Sequence, residues 1–359
     1  MTYVLYCFSI LTGLAFRKNK LITLFILLTM YVFAAFKTTD ADMDNYVCGY
    51  YSASDEGIYR YAGFTLFVKI MSTLQLDFEQ YLCVFYLMVF GLMFIGIRKL
   101  TKNVNFVFAS YLISCYAMDV VQMKSALADS IVLFAFAYYF GKSERVNKRR
   151  ACITACILLL ATFIHFSALF YLVAFFLYLI LKGKKYYLIG ILLITGMSFV
   201  FVSGIGLSIF LSMGSALGML GNDNEYLSGW MDRNTRLGFL IPFLDVFFIA
   251  IPYWLLYNRK KFEGVQNTFN QLGLFMCTVV LMLPLLYLNV TFTRLFRIYL
   301  ILSAVVVSNY GIRLKYKNYE LFTLLLFFIS LIYTFFIDTY QFWDGTLGAL
   351  LNANALLLF

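Results

Sequence analysis

Apolar runs follow one another from Leu21 to Phe336 with only short polar breaks between them, and this succession restricts the fold more than any other feature. A bilayer core of about 30 Å takes roughly 20 apolar residues in helical form, and within it each backbone polar group must be satisfied inside its own segment. The fold class expected is therefore all-α, a polytopic integral membrane protein. Charge agrees: 13% of the 359 residues are charged and 63% hydrophobic, against about 25% and 45–50% in soluble chains. No composition shift marks a soluble unit, so residues 1–359 read as a single transmembrane domain. The three prolines, Pro242, Pro252 and Pro284, all lie inside apolar runs and read as kinks. Seven cysteines show neither a disulfide framework nor a zinc spacing. The opening Met1-Thr2-Tyr3 offers no basic stretch of the kind that starts a cleaved signal.

Charge then orients the chain. Basic clusters occur at Arg17 to Lys20, Arg98-Lys99 with Lys102, Lys142 to Arg150, Lys182 to Lys185, Arg259 to Lys261 and Arg313 to Lys317. With all six on one face, 20 of the 28 Lys and Arg residues are gathered there, beside only Glu144, Glu263 and Glu320. The positive-inside rule makes that face cytoplasmic. The clusters sit between apolar runs, so the net charge of +10 does not point to nucleic acid. The spans that satisfy this arrangement are 3–16, 20–36, 78–97, 104–118, 125–140, 151–164, 166–181, 186–203, 238–257, 268–288, 294–310 and 320–337. Segment 346–359 either crosses or lies in the interface, giving about 12–13 transmembrane helices. Segment 61–76 carries Lys69, and as a full crossing it would turn Arg98-Lys99 outward; it reads as an interfacial helix after external loop 37–60. A second interfacial stretch, 204–220, opens external loop 204–237, which holds Arg233 and Arg236.

Three polar pieces dominate the outer face. Loop 37–60 sets Asp40, Asp42, Asp44, Asp55 and Glu56 beside Tyr46, Tyr50, Tyr51 and Tyr59. The Asp40-x-Asp42-x-Asp44 spacing lacks the Gly and distal Glu of a calcium loop, and neither a metal nor another cofactor is expected. A solvated acidic loop with interfacial aromatics is the plain alternative. Carbohydrate binding uses both features, since carboxylates bond hydroxyls and aromatic faces cover sugar rings. The second piece is Asp119 to Asp129, where Ser125 and Asp129 share a helix face and Gln122 and Lys124 stand nearby. An ion pair of Lys124 with Asp119 or Asp129 is the structural alternative there. The third is Thr293-Arg294-Leu-Phe-Arg297-Ile-Tyr299, whose two arginines are spaced to share one helix face and one anionic ligand. With Lys37, Arg60, Lys69, Lys124, Arg233 and Arg236 they make up the external bases. Cations at membrane depth suit an anionic lipid head group entering sideways; snorkelling anchors are the alternative. His165, the one histidine, lies at an outer turn between two spans, in a position to transfer a proton.

These residues resemble the EpsG-like group of Wzy-type polysaccharide repeat-unit polymerases. The resemblance rests on Asp44-Asn45-Tyr46 with Tyr50 and the following Gly63-Phe64, on Lys124-Ser125-Ala-Leu-Ala128, and on His165-Phe-Ser167-Ala168-Leu169. Arg294 and Arg297 with Tyr299 fit a later helix, and together the motifs cover roughly residues 40–300. Two positions depart from the pattern: Lys124 stands for Arg and loses its bidentate fork, and Ser125 stands for Gln. The resemblance implies a glycosyltransferase on the outer face of a bacterial cytoplasmic membrane, moving a growing glycan from one polyprenyl-pyrophosphate carrier to another lipid-linked unit. Its partners would be those lipid-linked oligosaccharides, membrane lipid, and the export and chain-length proteins of the same glycan. Arg294, Arg297 and Lys124 would meet the departing pyrophosphate, and His165 or an acid such as Asp44 would take the acceptor's proton. Asp40, Tyr46, Tyr50, Glu56, Arg60, Lys69, Gln122, Ser125, Asp129, Ser167, Arg233, Arg236 and Tyr299 would bind substrate.

Two other functions compete. A flippase for the same lipid-linked sugar would carry charge near the midplane and show paired halves or interrupted helices, neither of which is visible in the sequence. A membrane O-acyltransferase would more often draw its donor from the cytoplasmic side, where this chain offers only basic clusters.

Overall fold

The computed structural model describes residues 1–52, 61–141, 148–182, 187–202, 244, 246–250, 267–288, 290–310 and 317–356. Among them the regular elements are helices, joined by one isolated β-bridge. The first half holds α1 (Thr2–Ala15), α2 (Lys20–Ala35), α3 (Met43–Tyr51), α4 (Ala62–Thr73), α5 (Phe78–Leu100), α6 (Val104–Ser114), α7 (Tyr116–Val121) and α8 (Met123–Phe140). The second half holds α9 (Lys148–Ile164), α10 (Ala168–Leu181), α11 (Tyr187–Val202), α12 (Asn267–Met276), α13 (Leu283–Leu288), α14 (Phe296–Tyr310), α15 (Lys317–Thr334) and α16 (Leu347–Asn352).

Three helical stretches, Phe78–Leu100, Met123–Phe140 and Phe292–Asn309, are long and apolar enough to cross a membrane, and eight shorter apolar helices accompany them. Leu11, Leu24, Leu28, Leu87, Leu160 and Leu193 are more than half exposed, where a water-facing helix would carry charge. The outer surface is thus suited to lipid. The helix starts follow local chemistry. Asn19 caps α2, its Oδ1 accepting from the amides of Leu21 and Ile22 at 2.9 and 3.3 Å. Asp77 caps α5 through a reciprocal box with Gln80, at 2.7 and 3.2 Å.

Helix α5 lies along α8, which lies along α9, while α14 packs between α6 and the aromatic core. Close approach decides one pairing: a Cβ on Gly13 of α1 would sit 2.8 Å from both Ala109 Cβ and the Asn105 carbonyl of α6. Phe136, Phe140, Tyr171, Phe175 and Tyr178 stack around Phe275 and Tyr299, with ring centroids 4.6 Å apart for Phe136 and Phe275. Lipid is as apolar as these side chains, so dense packing rather than water exclusion holds them together.

Two expected spans change. The span expected over 268–288 is interrupted: α12 gives way to a 3₁₀ turn at Cys277–Met282 before α13 begins. Pro284 lies just beyond, where the missing N–H and the ring disfavour a regular helix. The turn itself carries no charged residue, and a helix interrupted in this way is a feature the flippase reading also expects. Secondly, the span expected over 104–118 stops at Ser114, turns at Cys115 and continues as short α7. Segment 61–76, expected as an interfacial helix, holds α4 of 12 residues, about 18 Å at helical rise, too short for a crossing as that reading requires. Segment 346–359 contains only the six-residue α16, followed by an antiparallel bridge from Asn354 to Lys37. Ala355 N–H donates to the Phe36 carbonyl at 2.9 Å, and Asn354 Nδ2 to the Val32 carbonyl at 3.0 Å. The segment docks on the loop after α2 instead of crossing. Most of the expected span 238–257, the interfacial stretch 204–220 and the rest of loop 204–237 lie outside the described residues.

Candidate functional site

The site is assembled around the turn between α7 and α8. Gln122, at φ −94° and ψ 68°, breaks the helix, and the carbonyls just before it lose their intrahelical donors. Lys37 Nζ and the Tyr86 hydroxyl donate to the Val120 carbonyl at 2.8 and 2.6 Å. Lys37 is also ion-paired with Asp40, whose other oxygen accepts the Asp42 amide at 2.8 Å. Loop 37–42 is thereby tied to the turn. Asp40, expected to bind substrate, spends its carboxylate on this internal work.

Asp119 and Gln122 turn toward α14. Arg297 Nη1 donates to Asp119 Oδ1 at 2.7 Å and Nη2 to Gln122 Oε1 at 2.9 Å. The Tyr111 hydroxyl donates to the other Asp119 oxygen at 2.8 Å. The Arg297 and Asp119 side chains are only 2% and 3% exposed. A buried pair of this kind fixes segments together, and removing one partner leaves an uncompensated charge. Asp119 is thus taken by Arg297, not by Lys124. The two arginines differ in their surroundings. Arg294 ends a 3₁₀ turn, Val290–Leu295, and Arg297 belongs to α14, which starts at Phe296. In a 3₁₀ turn residues three apart eclipse one another, so the spacing keeps the two on one side of the winding and it is their partners that separate them. Arg297 goes inward, while Arg294 stays partly exposed.

Beside this anchor, four further segments converge. Lys124 Nζ lies 4.9 Å from the centroid of the Tyr61 ring, 5.6 Å from Phe64 and 5.7 Å from Tyr46. Aromatic faces attract a cation, about 0.5–1 kcal/mol each at exposed sites and more when desolvated. Tyr61 precedes α4 in the left-handed region, φ 50° and ψ 56°, a conformation costly for a non-glycine residue. Its ring stacks on the His165 imidazole, centroids 5.1 Å apart and planes 4° from parallel. Gly63 makes the approach possible: a Cβ there would meet the Phe163 backbone and Ile164 at 3.0 Å, at the end of α9. His165 Nδ1 lies 2.6 Å from Ser167 Oγ and accepts the Ser167 amide at 3.3 Å. The motif serine therefore seats the imidazole.

Electrostatics join the same groups. Burial, then Arg294, Lys124 and Arg297, push the His165 pKa down to about 3, so the ring is neutral at physiological pH. Burial and the neighbouring Asp40 push Asp42 above the usual carboxylate range, opposed by Arg294, Lys124 and Lys37. Asp42 and Tyr46 lie one turn apart, the Tyr46 amide donating to the Asp42 carbonyl at 3.1 Å.

The other expected residues divide. Ser125 and Asp129 are buried on α8, and Asp129 feels Asp119, Arg297 and Arg294. Asp44 is exposed in the first turn of α3. Tyr50 is buried against Phe78 and Tyr81, its hydroxyl donating to the Leu76 carbonyl at 2.7 Å, and so braces α3 on α5. Tyr299 lies in the aromatic core with its hydroxyl 2.8 Å from that of Thr278. Lys69 is part-buried on α4. Glu56, Arg60, Arg233 and Arg236 lie outside the described residues. Among the described residues no three His, Cys, Asp or Glu side chains are grouped to hold a metal ion. The sequence reading missed Tyr61 and the linking roles of Lys37 and Tyr111; an αL residue before a helix and a contact between distant segments leave no local signature.

Residues 20–347 match the model of the EpsG family. No curated protein and no solved structure matches the chain.

Proposed function

The chain belongs to the EpsG family, and from that premise we propose that it is a membrane glycosyltransferase that polymerises polyprenyl-pyrophosphate-linked oligosaccharide repeat units on the outer face of the cytoplasmic membrane. The observation that carries this reading is the convergence of Arg294, Lys124, Tyr61, His165 and the Asp42–Tyr46 loop from separate segments. Twelve crossings with these groups outside remain part of the same proposal.

Arg294 and Lys124 face the departing pyrophosphate, where negative charge grows as the glycosidic bond to phosphate breaks. Prearranged cations act there without reorganising. Arg297, held by Asp119 and Gln122, positions Arg294 and the α7–α8 turn rather than meeting the phosphate itself. Tyr46, Tyr61 and Asp44 offer faces and an oxygen to the sugars. A carboxylate of loop 40–44 or the imidazole takes the proton of the attacking hydroxyl. Two lipid-linked substrates must be aligned, so orientation supplies much of the rate.

The test is the host's external glycan, compared between wild type, Arg294→Ala and His165→Ala at matched membrane levels. Single repeat units accumulating in place of long chains support polymerisation. Undiminished long chains in both variants remove the site assignment. Lipid-linked units trapped on the cytoplasmic side replace the polymerase with the flippase.

A further inference from the structure

A histidine beside two cations invites the role of general base, and its own hydrogen bonds argue otherwise. A backbone N–H can only donate. The Ser167 amide points at His165 Nδ1 at 3.3 Å, and the Ser167 hydroxyl lies 2.6 Å from the same nitrogen. Nδ1 is therefore the acceptor, and the proton of a neutral ring sits on Nε2. The lone pair a base would need is already occupied by the serine two residues on. The ring is held in that orientation from its face by Tyr61, 5.1 Å away and nearly parallel.

We infer that His165 serves the transfer as a neutral hydrogen-bond donor through Nε2–H, and that Asp42 is the group that accepts the acceptor's proton. These roles presuppose the polymerase reaction proposed above. The acceptor hydroxyl oxygen forms the new bond to the anomeric carbon while the bond from that carbon to the pyrophosphate oxygen breaks. The leaving oxygen keeps the electron pair and is met by Arg294, Lys124 and the Nε2–H. The hydroxyl proton passes to the Asp42 carboxylate, so charge and atoms balance.

Asp42 fits the task better than its neighbours. Asp40 is consumed by Lys37 and by the Asp42 amide. Asp119 is consumed by Arg297 and Tyr111. Asp42 is part-buried and makes no side-chain cap to α3; its carbonyl accepts the Tyr46 amide at 3.1 Å, the Tyr46 ring centroid lies 5.7 Å from Lys124 Nζ, and Arg294, Lys124 and Lys37 act on its carboxyl. The charged or titratable groups acting on His165 are Arg294, Lys124 and Arg297, with Tyr61 stacked on its face.

One histidine in the chain makes the tautomer directly measurable. Protein labelled with 15N-histidine, in lipid nanodiscs between pH 5 and 8, should give one neutral ring with a pyridine-type Nδ1 and a protonated Nε2. A protonated Nδ1, or an imidazolium at pH 7, overturns the inference. Activity supplies the second arm, read as chain growth on the host's own lipid-linked repeat unit in purified membranes. His165→Gln keeps a donor near Nε2 but cannot serve as a base at neutral pH. It should lose less than about tenfold, against about 10²–10³ for His165→Ala. Equal losses in both variants, or no loss in either, overturn the donor role. Asp42→Asn should lose about 10²–10⁴ at every pH, and activity within a few-fold of wild type excludes it as the acceptor. Absence of polymer from the wild-type chain, with the ε tautomer present, removes the polymerase reading and the donor's catalytic use, leaving only the tautomer.

Discussion

Asp119→Ala is the most informative perturbation of the anchor. It strips Arg297 of the carboxylate 2.7 Å from Nη1 and leaves the Tyr111 hydroxyl without its acceptor. Both side chains of the pair are almost wholly buried, at 2% and 3% exposure. Removing one partner of such a pair costs about 3–5 kcal/mol, and the orphaned Tyr111 hydroxyl, about 1–3 kcal/mol by itself, moves the expectation to the upper end. The assay is reversible unfolding by SDS in mixed micelles, read on wild type, Asp119→Ala and the double variant Asp119→Leu/Arg297→Met. The double variant should lie within about 1 kcal/mol of wild type, because apolar replacement of a buried pair is often neutral. It should also keep measurable chain growth, since Arg294 and Lys124 are still present. A single variant within about 1 kcal/mol of wild type would refute the claim that this pair joins the α7–α8 turn to α14. Restored stability with abolished polymer would show that Arg297 itself meets the pyrophosphate.

Other outcomes follow from the same contacts. Lys124→Arg should retain more chain growth than Lys124→Ala, because it keeps a cation over Tyr46, Tyr61 and Phe64. Gly63→Leu should lower polymer yield more than stability, by lifting α4 from the Phe163 backbone and moving Tyr61 off His165; polymer length on the matched-level gel checks it. The folded pKa of His165, about 3, lies below its ordinary 6.5. Between those values the unfolded chain holds a proton that the folded chain lacks. Stability is therefore complete above pH 6.5 and falls on acidification, with a slope approaching about 1.4 kcal/mol per pH unit from this group. SDS titrations from pH 7 to 4 should show that slope reduced in His165→Gln.

The sequence carried the helical class, because apolar length is a local property, and it singled out Lys124, His165 and Arg294, which the fold brings near one another. The separate fates of the two arginines were not legible. Their spacing places them on one side of the winding, and what parts them is a contact with a distant segment: Arg297 is taken by Asp119 and Gln122, while Arg294 stays partly exposed. Asp44 was singled out by its place in a motif, whereas Asp42 is the carboxyl on which Arg294, Lys124 and Lys37 act. Tyr50 and Tyr299 looked like ligand-binding aromatics and brace helices instead. Tyr61 escaped notice because a left-handed residue before a helix is marked by no residue type other than Gly or Asn.

The bridge between Lys37 and Asn354 has a consequence in time. The Thr38 hydroxyl bonds the Ala353 carbonyl across 315 residues of sequence, and a ribosome adding about 5–20 residues per second takes roughly 15–60 s to deliver the second partner. During that interval the loop that carries Asp42 lacks the bridge to residues 353–355 that steadies it. The loop is thus completed by a segment translated some 315 residues after it. A chain arrested before residue 340 should be cut by external protease at 36–42, whereas the released chain should resist.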